Sequence, residues 1–202
     1  AVILATGAPP KKLGVEGEEE MLGRGVHYHA ACRSMMYRRK TVAVIGDGEQ
    51  AAEAATILSR IAKRVCLVHR GAHMEISPAH AGKLKMMRNI ERYAGSEVRA
   101  FLHANWVSSI CIREQRDGEL WDLACDGAFI CLGGVPETGL FRGQVALDEQ
   151  GYILANETTV TNLPGVFAAG DVRTKLLRGI LTAAADGAAA AQQAERYIAE
   201  AI

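Results

Sequence analysis

A glycine-rich segment, Gly46–Ala51 (sequence GDGEQA), joins an apolar strand-like run to a helix-like run. In such a segment the first glycine permits a tight turn, and the second, Gly48, lets the backbone approach a pyrophosphate. The third position, Ala51, lets the helix pack closely on the strand, and the helix N-terminus offers free N–H groups to the diphosphate. A second strand follows within about 30 residues, as a dinucleotide-binding βαβ unit requires. We predict a dinucleotide site rather than a plain strand–turn–helix, with four contact residues: Gly46, Gly48, Glu49 and Ala51.

The end of the second strand selects between dinucleotides, because it lies near the 2′-position of the adenosine ribose. An NAD site usually places Asp or Glu at this point to accept a hydrogen bond from the 2′-hydroxyl. This chain has His69 and Arg70 instead. A basic strand end favours a 2′-phosphate, so we predict NADP(H) over NAD(H), with both residues at the adenosine end. The alternative is an arginine that is simply solvated.

A carboxylate, Asp171, follows Gly170 at the end of another strand-like run, Val166–Ala169. In open α/β folds ligands bind at the carboxyl edge of the sheet, which is where such a strand delivers its last residues. We therefore predict that Asp171 holds a ligand hydroxyl. The alternative is an aspartate that caps the following helix.

The elements that must position these residues alternate between strand-like and helix-like runs, which predicts an α/β fold with a doubly wound, Rossmann-like parallel sheet. Two runs around a turn at Asp117-Gly118 predict a β-hairpin or meander, which gives the nucleotide-binding domain a third layer. The predicted strands are Ala1–Leu4, Thr41–Ile45, Val65–Val68, Val98–Phe101, Trp106–Arg113, Leu120–Ala124, Phe129–Leu132 and Val166–Ala169. The predicted helices are Glu49–Lys63, Ala79–Tyr93 and Leu181–Ala201.

The composition argues against several classes of partner. The 202 residues carry 23 basic and 23 acidic side chains, so nothing favours nucleic acid or an anionic membrane. No apolar run reaches the roughly 18 residues that a membrane span needs. The five cysteines show no C-x-x-C and no zinc spacing, and no set of histidines has metal spacing, so we predict no metal site. An odd number of cysteines without an export signal predicts a reducing cytoplasm.

In their order and spacing, these motifs make the chain similar to the low-molecular-weight thioredoxin reductases and their flavoprotein relatives over nearly its full length. The segments that carry the resemblance are Ala5–Ala8, Gly23–Val26, Gly46–Ala51, His69–Arg70, Asp126–Pro136, Gly165–Asp171 and Arg178–Ala184. The last two resemble the second FAD motif of the family, whose Asp reaches the flavin ribityl chain, and the segment along the isoalloxazine. The first G-x-G-x-x-G of the family, which holds the FAD pyrophosphate, is expected upstream of Ala1, because the chain begins inside a strand-like run.

The resemblance implies an NAD(P)H-dependent flavoprotein oxidoreductase, in which hydride passes from the nicotinamide to FAD. It implies residues 1–14 as a remnant of the FAD domain, 15–133 as the NAD(P)H domain and 134–202 as the C-terminal FAD segment. It also implies a cytoplasmic homodimer, with a thioredoxin-like or other electron-transfer protein as partner. The residues that it implies on the flavin side are Thr6, Gly7, Gly170, Asp171, Arg178, Gly179 and Thr182.

The chain departs from the family at the redox-active C-x-x-C. The corresponding stretch is Tyr28–Ser34 (YHAACRS), where His29 takes the place of the first cysteine and only Cys32 remains. Arg33 stands where the family has an acidic proton donor. No intramolecular disulfide can form at this site, which argues against thioredoxin reduction by the family mechanism. We predict Cys32 as the catalytic residue, since His29 and Arg33 favour its thiolate; the alternative is a vestige of a lost site.

The NADP-binding element departs as well. In the family this element reads H-R-R-x-x-x-R, and here Gly71 and Glu75 replace the second and third arginines. Two of the three phosphate-binding cations are missing, which weakens the preference for NADP(H) and keeps NAD(H) open. Two other functions stay open: a flavoprotein that takes electrons from ferredoxin or another donor, and a non-catalytic homologue that binds a nucleotide or a protein.

Overall fold

The computed structural model describes residues 1–200, and at residues 31 and 32 it describes the backbone alone. The chain divides into two compact units. The insert unit comprises Lys11–Gly133, and the flanking unit comprises Ala1–Pro10 together with the chain from Gly134 onwards. The insert unit therefore interrupts the flanking unit in sequence. The assignment of each unit to a cofactor stays a prediction.

Ten strands, four α-helices and three short 3₁₀ helices make up the regular structure of the described residues. The strands are β1 (Val2–Leu4), β2 (Val26–His27), β3 (Thr41–Ile45), β4 (Arg64–His69), β5 (Ile90–Ala94), β6 (Ser96–His103), β7 (Val107–Glu114), β8 (Leu120–Ala124), β9 (Gly127–Ile130) and β10 (Val166–Ala168). The helices are α1 (Ala30–Arg33), α2 (Glu49–Ser59), α3 (Pro78–Met86) and α4 (Ile180–Glu200).

The insert unit is built on a five-stranded parallel sheet with the strand order β2-β9-β3-β4-β5. In β3 the residues from Val42 to Ile45 are all buried, which is typical of a strand that is covered on both faces. Helices α2 and α3 cover one face of the sheet, and the antiparallel meander β6-β7-β8 covers the other. The predicted α/β fold with a parallel sheet and a meander is confirmed.

The predicted helix Ala79–Tyr93 is wrong in its second half, where the chain forms the edge strand β5 instead. Asn89 lies between α3 and β5, and its side-chain amide donates to the carbonyl oxygens of Ser59 and Ala62 at 2.9 and 3.1 Å. This contact also caps α2, which ends at Ser59 rather than at the predicted Lys63. Pairing with β4 and the Asn89 contact are tertiary effects that override the local helical pattern.

The flanking unit pairs β1 with β10 in parallel. Helix α4 packs on this small sheet, with Phe167 and Ala169 against Ala190 and Ala194. The predicted C-terminal helix is confirmed from Leu181 to Glu200, and its predicted last residue, position 201, lies outside the described residues. Across residues 1–200, no helix combines the length and the apolar character needed to cross a membrane.

Candidate functional site

The glycine-rich loop joins β3 to α2, and its geometry accounts for its first and last residues. Gly46 has a φ of +148°, and a Cβ at this position would lie 2.3 Å from the carbonyl oxygen of Cys131. Only glycine fits there, because both the backbone conformation and the close approach exclude a side chain. Ala51 is fully buried, and its Cβ would lie 3.0 Å from a Cβ at Gly46. These two residues shape the turn between β3 and α2.

Gly48 has a different environment from Gly46. It precedes the first residue of α2, and its carbonyl oxygen accepts the N–H groups of Ala51 and Ala52 at 3.1 and 3.2 Å. A Cβ at Gly48 would meet no atom within 4 Å, so the protein's own packing does not require a glycine here. The first N–H groups of a helix have no intrahelical partner, and an open approach to them is what a bound diphosphate needs.

Glu49 ties the glycine-rich loop to the β4–α3 loop, residues 70–77. Its carboxylate accepts the N–H of Ser77 at 2.5 Å and contacts the imidazole of His80. The hydrogen bond from the Ser77 N–H lowers the pKa of Glu49. Ser77 also caps α3, since its hydroxyl accepts the N–H of His80. The contact of Glu49 with a dinucleotide stays a prediction.

The two residues predicted at the adenosine end have unequal surroundings. His69 is buried at the end of β4, and its Nδ1 has no hydrogen-bond partner among the described residues. Burial lowers the pKa of His69, which favours its neutral form. Arg70 is exposed, and its Nε lies 3.7 Å from the carboxylate of Glu97. Of the pair, Arg70 is the one whose charge reaches the surface.

The predicted catalytic side chain, that of Cys32, lies outside the described residues; its backbone belongs to α1. A buried pair flanks this segment in sequence, with His27 Nε2 2.7 Å from the Tyr37 hydroxyl. Both rings pack against Phe129. Burial, with a smaller effect of the Arg33 charge, lowers the pKa of His27 to about 4. His27 is therefore a neutral core residue at pH 7.

The other four cysteines are free thiols, and three of them are buried: Cys66, Cys125 and Cys131. Burial raises the pKa of Cys125 and of Cys131 to about 12, so these thiols stay protonated. In the part of the chain that the structure describes, no group of three or more His, Cys, Asp or Glu side chains could hold a metal ion.

In the flanking unit, Asp171 lies on the turn that follows β10, beside a cavity of about 270 Å³. Its Oδ1 is buried and has no hydrogen-bond partner among the described residues. Such an atom is costly unless a ligand donates to it, so the site fits a hydroxyl-bearing ligand. Small residues form most of the lining, which consists of Ala5, Gly7, Ala8, Ala169, Gly170, Asp171, Ala183 and Gly187.

The structure brings three of the predicted flavin-side residues to this cavity: Gly7, Gly170 and Asp171. The hydroxyl of Thr6 donates instead to the carbonyl of Glu137 at 2.6 Å. The guanidinium of Arg178 stacks on Tyr152, with its Cζ 3.9 Å from the ring centroid. The hydroxyl of Thr182 donates to the carbonyl of Gly179 at 3.0 Å, which orders the turn that opens α4. Thr6, Arg178, Gly179 and Thr182 are therefore engaged within the unit itself.

A buried ion network, which the sequence did not predict, holds the Asp171 turn. The carboxylate of Asp186, on α4, accepts the Gly170 N–H at 2.9 Å, the Arg173 guanidinium at 2.7 and 2.8 Å and the Lys175 ammonium at 2.9 Å. Burial alone would raise the pKa of Asp186, but these hydrogen bonds outweigh it and lower the pKa to about 2. One clue was available, a charged residue among the alanines of a helix.

Comparison with known proteins finds the same architecture elsewhere. The pyridine nucleotide-disulphide oxidoreductase family matches residues 1–194. The thioredoxin reductase of Treponema pallidum is 40% identical over 198 residues, which are 98% of this chain and 64% of that protein. The solved thioredoxin reductases of Streptococcus pyogenes and Giardia duodenalis are each 36% identical, with TM-scores of 0.88 and 0.89. Each alignment covers 98% of this chain, and 65% and 66% of those chains respectively. The chain spans just under two thirds of the length of these relatives, and the predicted resemblance is confirmed.

Proposed function

This chain belongs to the pyridine nucleotide-disulphide oxidoreductase family, in its thioredoxin-reductase-like branch, and from that premise we propose a function for each unit. We propose that the insert unit binds a pyridine dinucleotide and that the flanking unit binds the flavin end of FAD. Together they would serve a flavoprotein oxidoreductase of the thioredoxin-reductase type. The observation that carries the proposal is the glycine-rich loop, in which Gly46 is required by packing and Gly48 is left open.

On the insert unit, the backbone at Gly48 and the N-terminus of α2 would bind the diphosphate. The open space beside Gly48 supports this role, since a Cβ there would meet no atom within 4 Å and the protein's own packing leaves the position free for a ligand. Arg70 would lie near the adenosine end, where the sequence favours NADP(H). NADH and NADPH are both within this proposal as electron donors.

On the flanking unit, two observations support a flavin. The unpartnered Oδ1 of Asp171 would accept a hydrogen bond from a ribityl hydroxyl. Large apolar side chains just before α4 and in its first turn are mostly solvent-exposed, which suits a surface that an aromatic ring system covers. These side chains are Leu176, Leu177, Ile180 and Leu181.

The two bound cofactors would supply hydride transfer from the reduced nicotinamide to the flavin. The chain itself would bind and orient them, with Asp171 holding a hydroxyl and Asp186 holding the turn that carries Asp171. On the family resemblance, the onward acceptor would be a thioredoxin-like or other electron-transfer protein, reached without a dithiol at residues 28–34, which contain one cysteine, Cys32. A single cysteine there cannot form a disulfide within that segment. On the family resemblance, we propose a homodimer that works in the cytoplasm.

The test is anaerobic reduction of the FAD-loaded protein, which is measured as the loss of visible flavin absorbance. The proposal predicts reduction by NADH or by NADPH. Reduction by ferredoxin alone would contradict it and favour a ferredoxin-dependent flavoprotein, and no reduction by any of these donors would favour a non-catalytic homologue. Asp171→Asn should weaken FAD binding about tenfold, as loss of one charged hydrogen bond does. Glu149→Gln, at an exposed position of the same unit, should leave FAD affinity unchanged.

A further inference from the structure

We propose that the dinucleotide site selects NADH over NADPH, and that Glu75 makes the distinction by reading the 2′-position of the adenosine ribose. The inference rests on the proposed function, because it concerns the same site. It differs from the preference for NADP(H) that the basic end of β4 alone indicates. Three features of the β4–α3 loop support it.

The first feature is that the loop has no room for a side chain at Gly71. A Cβ there would lie 2.7 Å from the carbonyl oxygen of His73, which is a backbone atom and cannot rotate away. The carbonyl oxygen of Gly71 also accepts the N–H of Gly95 at 3.2 Å, so the turn is held from outside the loop. An arginine at position 71 would require this turn to rearrange. The loop therefore excludes a second cation next to Arg70.

The second feature is that Arg70 already has a carboxylate partner. Glu97, whose side chain is only 12% exposed, lies 3.7 Å from Arg70 and also pairs with Arg99 and Arg113. Glu97 is only partly accessible, so solvent screens its attraction for these cations less than it would at a fully exposed carboxylate. A 2′-phosphate would have to compete with Glu97 for Arg70.

The third feature is the position of Glu75. Its N–H donates to the carbonyl of Asp47 at 3.0 Å, and it forms a parallel bridge with Gly48. The hydrogen bond from the Ser77 N–H to the Glu49 carboxylate also anchors this loop. The backbone of Glu75 is thus anchored beside the glycine-rich loop, and its side chain is exposed there. A carboxylate in this place accepts a hydrogen bond from a 2′-hydroxyl and repels a 2′-phosphate.

One nearby cation opposes this selection. Arg92 on β5 is exposed and pairs in register with Leu67, two residues before His69. The proposal requires that the repulsion of a 2′-phosphate by Glu75, whose backbone is tied to the glycine-rich loop, exceeds the attraction by Arg92. The variants below include Arg92 for that reason.

The experiment is calorimetric titration of the 202-residue chain with NADH and with NADPH. We expect NADH to bind at least about tenfold more tightly. Glu75→Gln should lower the ratio of NADH affinity to NADPH affinity, because it removes the charge that repels the 2′-phosphate. Glu75→Arg should reverse the preference, because an arginine fits at this exposed position and attracts the 2′-phosphate. Gly71→Arg adds the same charge where the turn cannot hold it, and should give no such gain in NADPH affinity. Glu119→Arg, in the β7–β8 turn, is the matched control and should leave the ratio unchanged.

Tighter binding of NADPH by the parent chain, with a loss of that preference in Arg92→Ala, would overturn the inference and assign the selection to Arg92. An unchanged ratio in Glu75→Gln would overturn the role of Glu75. These outcomes leave dinucleotide binding intact. A failure of the folded parent chain to bind either nucleotide would instead overturn the proposed function of the insert unit. Thermal unfolding of each variant shows that it is folded.

Discussion

The insert unit and the flanking unit prepare their candidate sites in different ways. In the insert unit, close backbone packing shapes the site, with Gly46 pressed against the carbonyl of Cys131. The ion pairs of this unit lie nearer the surface, as in Arg64 and Glu91, whose side chains are 37% and 51% exposed. Ion pairs near the surface contribute little to stability, so the geometry of this site depends on close packing rather than on charge.

In the flanking unit, buried charges shape the site. The side chains of Arg173, Lys175 and Asp186 are 1%, 4% and 6% exposed, and they hold the turn that carries Asp171. Removing one member of such a network leaves an uncompensated charge in the interior. The stability of a site built by packing therefore tolerates changes of surface charge, whereas the stability of a site built by buried charges depends on each of them.

The largest expected effect is that of Asp186→Ala. It leaves Arg173 and Lys175 without their shared partner, and we expect the free energy of unfolding to fall by about 3–5 kcal/mol. Chemical denaturation of the 202-residue chain measures this. The matched control is Glu200→Ala, which removes the exposed pair with Arg196 on the same helix and should change stability by less than about 1 kcal/mol. Equal losses for the two variants would contradict a flanking site that depends on buried charge.

The next prediction compares the change in stability at a closely packed glycine, Gly46, with that at a glycine in open space, Gly82. Gly46→Ala forces a Cβ against the Cys131 carbonyl, and we expect a loss of about 1–3 kcal/mol. Gly82→Ala, inside α3 and with open space around its Cβ, should stabilise the unit by about 0.5–1 kcal/mol. Denaturation measured by circular dichroism would show the two shifts with opposite signs. A neutral Gly46→Ala would mean that shape does not limit the glycine-rich loop.

The third effect is a pH dependence that differs between the units. The pKa of His27 is lowered by burial from 6.5 to about 4, so folding favours the neutral ring, and this stability is complete above pH 6.5 and is lost as the pH falls towards 4. The pKa of Asp186 is lowered from 3.8 to about 2, so its contribution is lost only as the pH falls below 3.8. Between pH 7 and pH 4 the free energy of unfolding should therefore change less with pH in His27→Gln than in the parent chain. An identical pH slope in the variant would exclude His27 as the titrating group.

The sequence predicts the features of the fold and site that are local. Gly46, Gly48 and Ala51 lie within six residues, and the strand–turn–helix pattern makes the steric reasons for Gly46 and Ala51 visible. The meander follows from alternating runs around the Asp117-Gly118 turn. Steric and turn requirements act over a few residues, so a single sequence can reveal them.

The features that escaped prediction depend on residues far apart in the chain. β5 forms because a neighbouring strand and the Asn89 contact stabilise it, although its local pattern reads as helix. Asp186 gathers partners that lie 11 to 16 residues earlier, and Glu49 binds Ser77, 28 residues later. The obstacle to a side chain at Gly71 is likewise a property of the folded loop. In each instance the tertiary partner, which no local pattern contains, decides the role of the residue.

The central claim is that the open backbone at Gly48 binds a dinucleotide, and Gly48→Val tests it most directly. A Cβ at this position meets no atom within 4 Å, so the thermal unfolding midpoint should stay close to that of the parent chain. Calorimetric titration with NADH should show binding to the parent chain and a loss of at least about tenfold in affinity for the variant. Equal affinity for NADH in the parent chain and in the folded Gly48→Val variant would contradict the account.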